Sequence, residues 1–159
     1  MIPSSKSIFK ITILTIAALV GTHLPAFPQD KEDPHSTSSA LVSEAWGALD
    51  RKDYAAARIA ITRCQTLYGA KAEEMQKALT VLPSKDTATL QWALNDVGTC
   101  TFILGKVAEA EKKKDEALAA YKMVVEKYGY AQCWDNGGWY WQPSVAAKER
   151  IAALTLETE

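Results

Sequence analysis

Six of the fourteen aromatic residues of the chain, Tyr128, Tyr130, Trp134, Trp139, Tyr140 and Trp141, fall in the sixteen positions "YGYAQCWDNGGWYWQP", 128–143, together with Asp135 and a Gly-Gly pair. Flat indole and phenol rings beside a carboxylate suit ligand binding, since each ring offers a large apolar face with a polar handle at its edge. Indole faces in particular match the C–H faces of sugar rings. A second polar pair, Asn95 and Asp96, interrupts the run "WALNDVGTC". Neighbouring positions on a helix point about 100° apart, so at least one of the two faces a groove, a partner or an adjoining helix. A buried polar group is strongly penalised unless paired, which makes a helix-to-helix hydrogen bond the alternative to ligand contact. The candidate ligand- or partner-binding residues are therefore Trp134, Asp135, Trp139, Tyr140, Trp141, Asn95 and Asp96.

Catalysis is not expected from this set. The two histidines, His23 and His35, precede the expected domain, so a folded Ser-His or Cys-His nucleophile pair is excluded. Cys64, Cys100 and Cys133 lack the close pair spacing of a structural zinc site. A calcium loop beginning at Asp135 needs a glutamate at its twelfth position, where Ala146 stands. Glycoside hydrolysis needs two carboxylates flanking a cleft; Asp96 and Asp135 are the pair to consider, in a helical domain with little room for one. No metal and no cofactor is expected. The run "EKKKDE" at 111–116 is bracketed by acids, and nucleic-acid binding requires a concentrated basic surface.

The elements that must position these residues begin after a leader. "MIPSSKSIFK" carries two lysines and no acid, an eleven-residue apolar run "ITILTIAALVG" follows, and "HLPAF" offers a cleavage point after Ala26. This is the layout of a secretory signal peptide at 1–26, too short to span a membrane, which takes roughly 20 apolar residues. Residues 27–37, rich in Pro, Ser and charge, read as a flexible leader. One domain, 38–159, remains, long enough for a single core. The predicted location is outside the cytoplasm, periplasmic or secreted. In that setting Cys64 and Cys100, on helices flanking an inserted segment, are the disulfide to test, with burial as free thiols the alternative.

The domain reads as all-α. Apolar or small residues recur at Tyr54, Ala57, Ile61, Cys64 and Tyr68, and again at Ala117, Tyr121, Val124 and Tyr128, the spacing of one helix face. Both stripes end in Tyr-Gly, so Gly69 and Gly129 are expected to stop their helices; Asp53 and Asp115 mark the starts. Shorter helical patterns, "SSALVSEAWGALD" and "WALNDVGTCTFILGKVAEAE", precede each stripe. Two helix pairs are therefore predicted. Between them "KAEEMQKALTVL" reads as an inserted helix, with Pro83 ending it. Trp46 and Trp92 are expected in the core. Gly129, Asn136, Gly137 and Gly138 supply the turns of the aromatic stretch, and Pro143 opens a last helix that caps the stack with Val145, Ile151 and Leu154 inward.

The segment "LGKVAEAEKKKDEALAAYKMVV" resembles a tetratricopeptide repeat: Leu104 and Gly105 on the first helix, Ala117 and Tyr121 on the second. Ala45, Ala57, Ile61 and Cys64 stand at the corresponding places of the earlier pair. The two units lie sixty positions apart instead of the usual 34 or so, hence the inserted helix. The chain is also similar to short exported bacterial proteins ending in a comparable aromatic segment. The resemblance implies a stack of antiparallel helix hairpins whose concave face holds a peptide or another protein's helix. Two functions remain: a non-catalytic protein- or peptide-interaction module, or a carbohydrate or small-ligand binder using 130–143 as an aromatic platform.

Overall fold

The computed structural model describes residues 37–135 and 137–156. The signal segment expected at 1–26, all but the last residue of the leader, Asn136 and 157–159 lie outside the described residues. Five helices dominate: α1 Ser38–Asp50, α2 Tyr54–Ala78, α3 Trp92–Ala110, α4 Lys114–Lys127 and α5 Pro143–Leu156. A small antiparallel hairpin, β1 Cys133–Asp135 and β2 Trp139–Trp141, stands before α5. The chain is therefore mostly α. Among the described residues, no helix is long and apolar enough to cross a membrane.

Local chemistry fixes the helix ends. Thr37 Oγ1 accepts from Ala40 N at 3.3 Å and caps α1, while Asp53 Oδ1 accepts from Ala56 N at 3.1 Å and caps α2. Such caps satisfy N–H groups that the helix itself leaves free. Asp115 instead sits within the first turn of α4, where its charge faces the positive end of the helix dipole. Pro143 is the first residue of α5, as its fixed φ and missing N–H favour.

The two hairpins turn in the same way. At the end of α1, Asp53 N donates to Ala48 O and Lys52 N to Leu49 O; at the end of α3, Lys113 N donates to Ala108 O and Lys112 N to Glu109 O. Each is the paired hydrogen-bond closure of a helix end that uses one left-handed residue, usually glycine. Here a lysine takes that place both times, with φ of 60° at Lys52 and at Lys112. The repeat seen in side-chain spacing thus extends to the backbone. Of the glycines expected to stop helices, Gly129 directly follows the C-cap of α4, Tyr128, but Gly69 stops nothing. Gly69 lies inside α2, with nothing within 4 Å of where its Cβ would be, and the expected inserted helix is the second half of α2, which ends at Ala78, before Pro83. A glycine in a helix interior costs only about 1 kcal/mol, and the buried Ala72 beyond it holds the continuation against the core.

Packing is sequential, α1 on α2, α2 on α3, α3 on α4 and α4 on α5, with α1 and α5 each also against α3. Two apolar clusters result. Leu41, Ile61, Leu94, Val97 and Ile103 centre the first; Phe102, Tyr121, Val124, Ala147 and Leu154 centre the second. Small residues set the close approaches. A Cβ at Gly105 would lie 2.4 Å from the Tyr121 ring, and one at Gly98 would lie 2.9 Å from Ala131 Cβ. In the first hairpin the residues at the equivalent positions are Ala45 and Ile61, both buried in the first cluster. Helix α5 covers the end of the stack with Ala147 and Leu154 buried and Ile151 packed behind them, but Val145, expected inward, is 48% exposed.

Candidate functional site

A groove of about 1090 Å³ runs between α1, the N-terminal half of α3 and the hairpin. Helix α1 has two faces. Leu41, Ala45 and Ala48 point to the core, while Ser39, Val42, Ser43 and Trp46 line the groove. From α3 come Trp92, Asn95, Asp96, Thr99 and Phe102, a helical stripe, and from the hairpin Trp134, Asp135, Tyr140 and Trp141. Trp92, expected in the core, is 44% exposed and meets Tyr68 edge-on at 5.6 Å. Trp46 is half-buried and reaches Phe102 at 6.4 Å. Trp46 packs against both apolar clusters, so its core expectation is met in part, while Trp92 stands on the exposed side of the first turn of α3.

The aromatic stretch divides into structural and open parts. Tyr128 and Ala131 are buried in the first cluster. Tyr130 is tied to the far end of α2 and the loop after it, its N–H donating to Gln76 Oε1 and its hydroxyl to Thr80 O, both at 3.0 Å. Trp141 meets Phe102 edge-on at 5.5 Å and joins the hairpin to the second cluster. These residues wedge the segment against the helices. On the other side, Trp134 and Tyr140 are cross-strand partners with rings T-shaped at 5.1 Å, and Trp134 is 59% exposed. Trp139 is 57% exposed and lies over Gly137, away from the groove lining. Alternation along β2 sets it on the face opposite Tyr140, at the turn end of the strand.

The two polar residues of α3 have different duties. Asn95 is buried, its amide donating to Ala88 O at 2.8 Å and its carbonyl accepting from Gln132 N at 2.9 Å. That side chain locks the 3₁₀ turn Ala88–Gln91 and the 128–132 segment onto α3, and both its polar atoms are engaged. Gln132 continues the lock by donating from Nε2 to Pro83 O. Asp96 accepts one hydrogen bond, from Ser38 Oγ at 2.5 Å, and no ion pair reaches it among the described residues. Burial raises its pKa, and the Ser38 hydroxyl only partly opposes the shift. Asp135 is committed to the hairpin: its Oδ1 accepts from Gly137 N at 2.6 Å and its carbonyl from Gly138 N at 2.9 Å. Gly138, at φ 96°, closes a turn that a side chain would strain.

A second acid on α3 shows the contrary arrangement. Glu109 accepts from Tyr121 Oη and from two guanidinium nitrogens of Arg150 on α5. Burial alone would raise its pKa, but these donors outweigh burial and hold it below the usual carboxylate range. The neighbouring Tyr121 hydroxyl is raised, by burial first and by its hydrogen bond to Glu109 second.

Among the cysteines, Cys64 and Cys100 are buried free thiols in hydrogen-bonding contact, and the contact and burial together raise the Cys100 pKa. The proximity expected from their positions is met. Cys133 touches the groove with its sulfur against Thr99 Oγ1 at 2.8 Å; burial pushes its pKa up to about 12, so it is held protonated rather than poised as a nucleophile.

Sequence reasoning missed the α1 wall. Its signal was present, since Ser38, Val42 and Trp46 form a second stripe beside the core stripe of Leu41, Ala45 and Ala48, but nothing in the chain alone says that this stripe faces Asp96. No family model matches the chain, and no match is found among curated proteins or solved structures.

Proposed function

We propose that this chain is a non-catalytic, exported interaction module, built as a tetratricopeptide-like stack, whose groove holds an extended segment of another protein. The observation that carries the reading is the groove itself: three separate elements, α1, α3 and the hairpin, present aromatic rings and small hydroxyl residues to one cleft. Rings of this size supply contact area, and hydroxyls between them supply adaptable hydrogen bonds, the mixture that recognition surfaces favour. The duplicated turns at Lys52 and Lys112 and the Gly105–Tyr121 contact support the helical-repeat reading. Export rests on the leader pattern at 1–26. The absence of a histidine from 37–159 and the protonated state of Cys133 support the non-catalytic reading.

One observation favours a second reading. Trp134, braced edge-on by Tyr140 and open to solvent, offers a platform for a sugar ring, which makes carbohydrate binding the competitor. A photo-crosslinking residue placed at Ser43 in the groove, and separately at Arg63 on the exposed side of α2, separates the two in the producing cell. The interaction reading expects a discrete protein adduct from position 43 and none from 63. Equal labelling from both positions, with soluble glucans shifting the tryptophan emission, would replace it with the carbohydrate reading.

A further inference from the structure

Resting on the groove as the binding surface, the geometry points to a cationic occupant: a lysine or arginine side chain of an extended segment of a partner protein, its charge seated at Asp96 and its stem along the aromatic walls. Charge complementarity selects this chemistry. Among the twenty described residues that line the groove, the charged ones are Asp96 and Asp135, with no lysine, arginine or histidine. Asp135 is engaged by the hairpin turn, which leaves Asp96 as the carboxylate available to a ligand. A half-buried carboxylate with one hydroxyl donor is expensive to keep charged. Elsewhere in the molecule the acids drawn inward are answered from within, Glu109 by Arg150 and Glu111 by Arg58. Among the described residues no cation gives such an answer to Asp96.

The walls suit a cation as well. Trp92 lies one helical turn before Asp96 on the same face of α3, so a charge at the carboxylate lies within reach of an indole. Aromatic faces attract ammonium and guanidinium groups within about 6 Å of the ring centre, and the methylene stem of either side chain packs on apolar surface. A segment of chain fits better than a free amine. The groove, at about 1090 Å³, is at the upper end of small-ligand pockets, which run to about 1,000 Å³, and Ser39, Ser43 and Thr89 along its edges can bond a peptide backbone.

The test selects binders to the full chain, as the producing cell processes it, from a random linear peptide library. The best peptide and its lysine-to-norleucine or arginine-to-citrulline analogue are then titrated against wild type and Asp96→Asn by tryptophan fluorescence. Asp135→Asn serves as a charge control, and a thermal melt checks that each variant is folded. We expect selected peptides to share one basic position. Neutralising it should weaken binding to wild type about tenfold or more, as loss of a desolvated charge partner does, and should change binding to Asp96→Asn no more than about threefold, since the two changes remove one interaction. Peptides that bind in the groove without a basic position, or that lose equally on wild type and Asp96→Asn, overturn the cation while leaving the interaction reading intact. Failure to select any groove-binding peptide overturns both.

Discussion

Asp96 and Glu109 lie thirteen residues apart on one helix and receive opposite treatment. Glu109 sits where α3, α4 and α5 meet, and two neighbours donate to it. Asp96 sits where α1 and α3 flank an open groove, and a single hydroxyl donates to it. The first carboxylate is lowered in pKa and the second raised. Burial acts on both in the same direction, so the difference comes from the company each keeps. An acid with charged donors around it is part of the frame. An acid left in an aromatic cleft with one hydroxyl donor is a cost that the fold does not offset, and the proposed recognition of an outside cation would offset it.

The contrast can be broken at its structural end first. Tyr121 is fully buried, fills the space above Gly105 and donates to Glu109; Tyr121→Ala should lower stability by about 3–5 kcal/mol, the range for truncating a buried aromatic, as read by urea denaturation. Next in size, Glu109→Gln should cost about 1–3 kcal/mol through the weakened bonds to Arg150 and Tyr121. Because the folded pKa of Glu109 lies below its unfolded value, near 4.3, its contribution is present above that pH and is lost as the pH falls through the folded value. The gap between wild type and Glu109→Gln should therefore hold from pH 7 to about pH 5 and close below about pH 4. A gap that grows on acidification would refute the assignment.

At the groove the expected effects on stability are small. Trp92→Ala removes a half-exposed ring and should cost no more than about 1 kcal/mol, near the scale of surface substitutions, while weakening any groove ligand. Asp96→Asn keeps the shape and the acceptor for Ser38 and removes a charge that burial disfavours. Its melting temperature at pH 7 should equal or exceed that of wild type. Since the folded pKa of Asp96 is raised, the wild type should gain on the variant as the pH falls through that value. A clear loss of stability in Asp96→Asn at pH 7 would place Asp96 in the frame beside Glu109.

Much of the frame was legible in the chain. The stripes at 54–68 and 117–128 gave two hairpins, and Leu104, Gly105, Ala117 and Tyr121 marked a close contact that the structure shows at Gly105. The end of α4 falls beside Gly129 as expected, but α2 runs on through Gly69, and the left-handed residues that close α1 and α3 are Lys52 and Lys112, which carry no glycine signal. The "DNGG" turn between "CWD" and "WYW" is a hairpin signal, obscured by strands of three residues each. The groove was less legible. Asp96 and Asn95 drew notice by sitting in an apolar run, but their division of labour depends on Ser38 and Gln132, 58 and 37 residues distant, and on which faces of α1 and α3 are left uncovered. Those are properties of packing, and local spacing does not carry them.

Side-chain carboxyl carbon NMR, following Asp96 and Glu109 together through an acid titration, tests the contrast most directly. The account predicts that in the free protein Asp96 titrates above the ordinary aspartate value of about 3.9 and Glu109 below the ordinary glutamate value of about 4.3, with Asp96 moving down once a basic peptide saturates the groove. Two carboxyls titrating at their ordinary values, or an Asp96 that ignores the peptide while Glu109 responds, would contradict it.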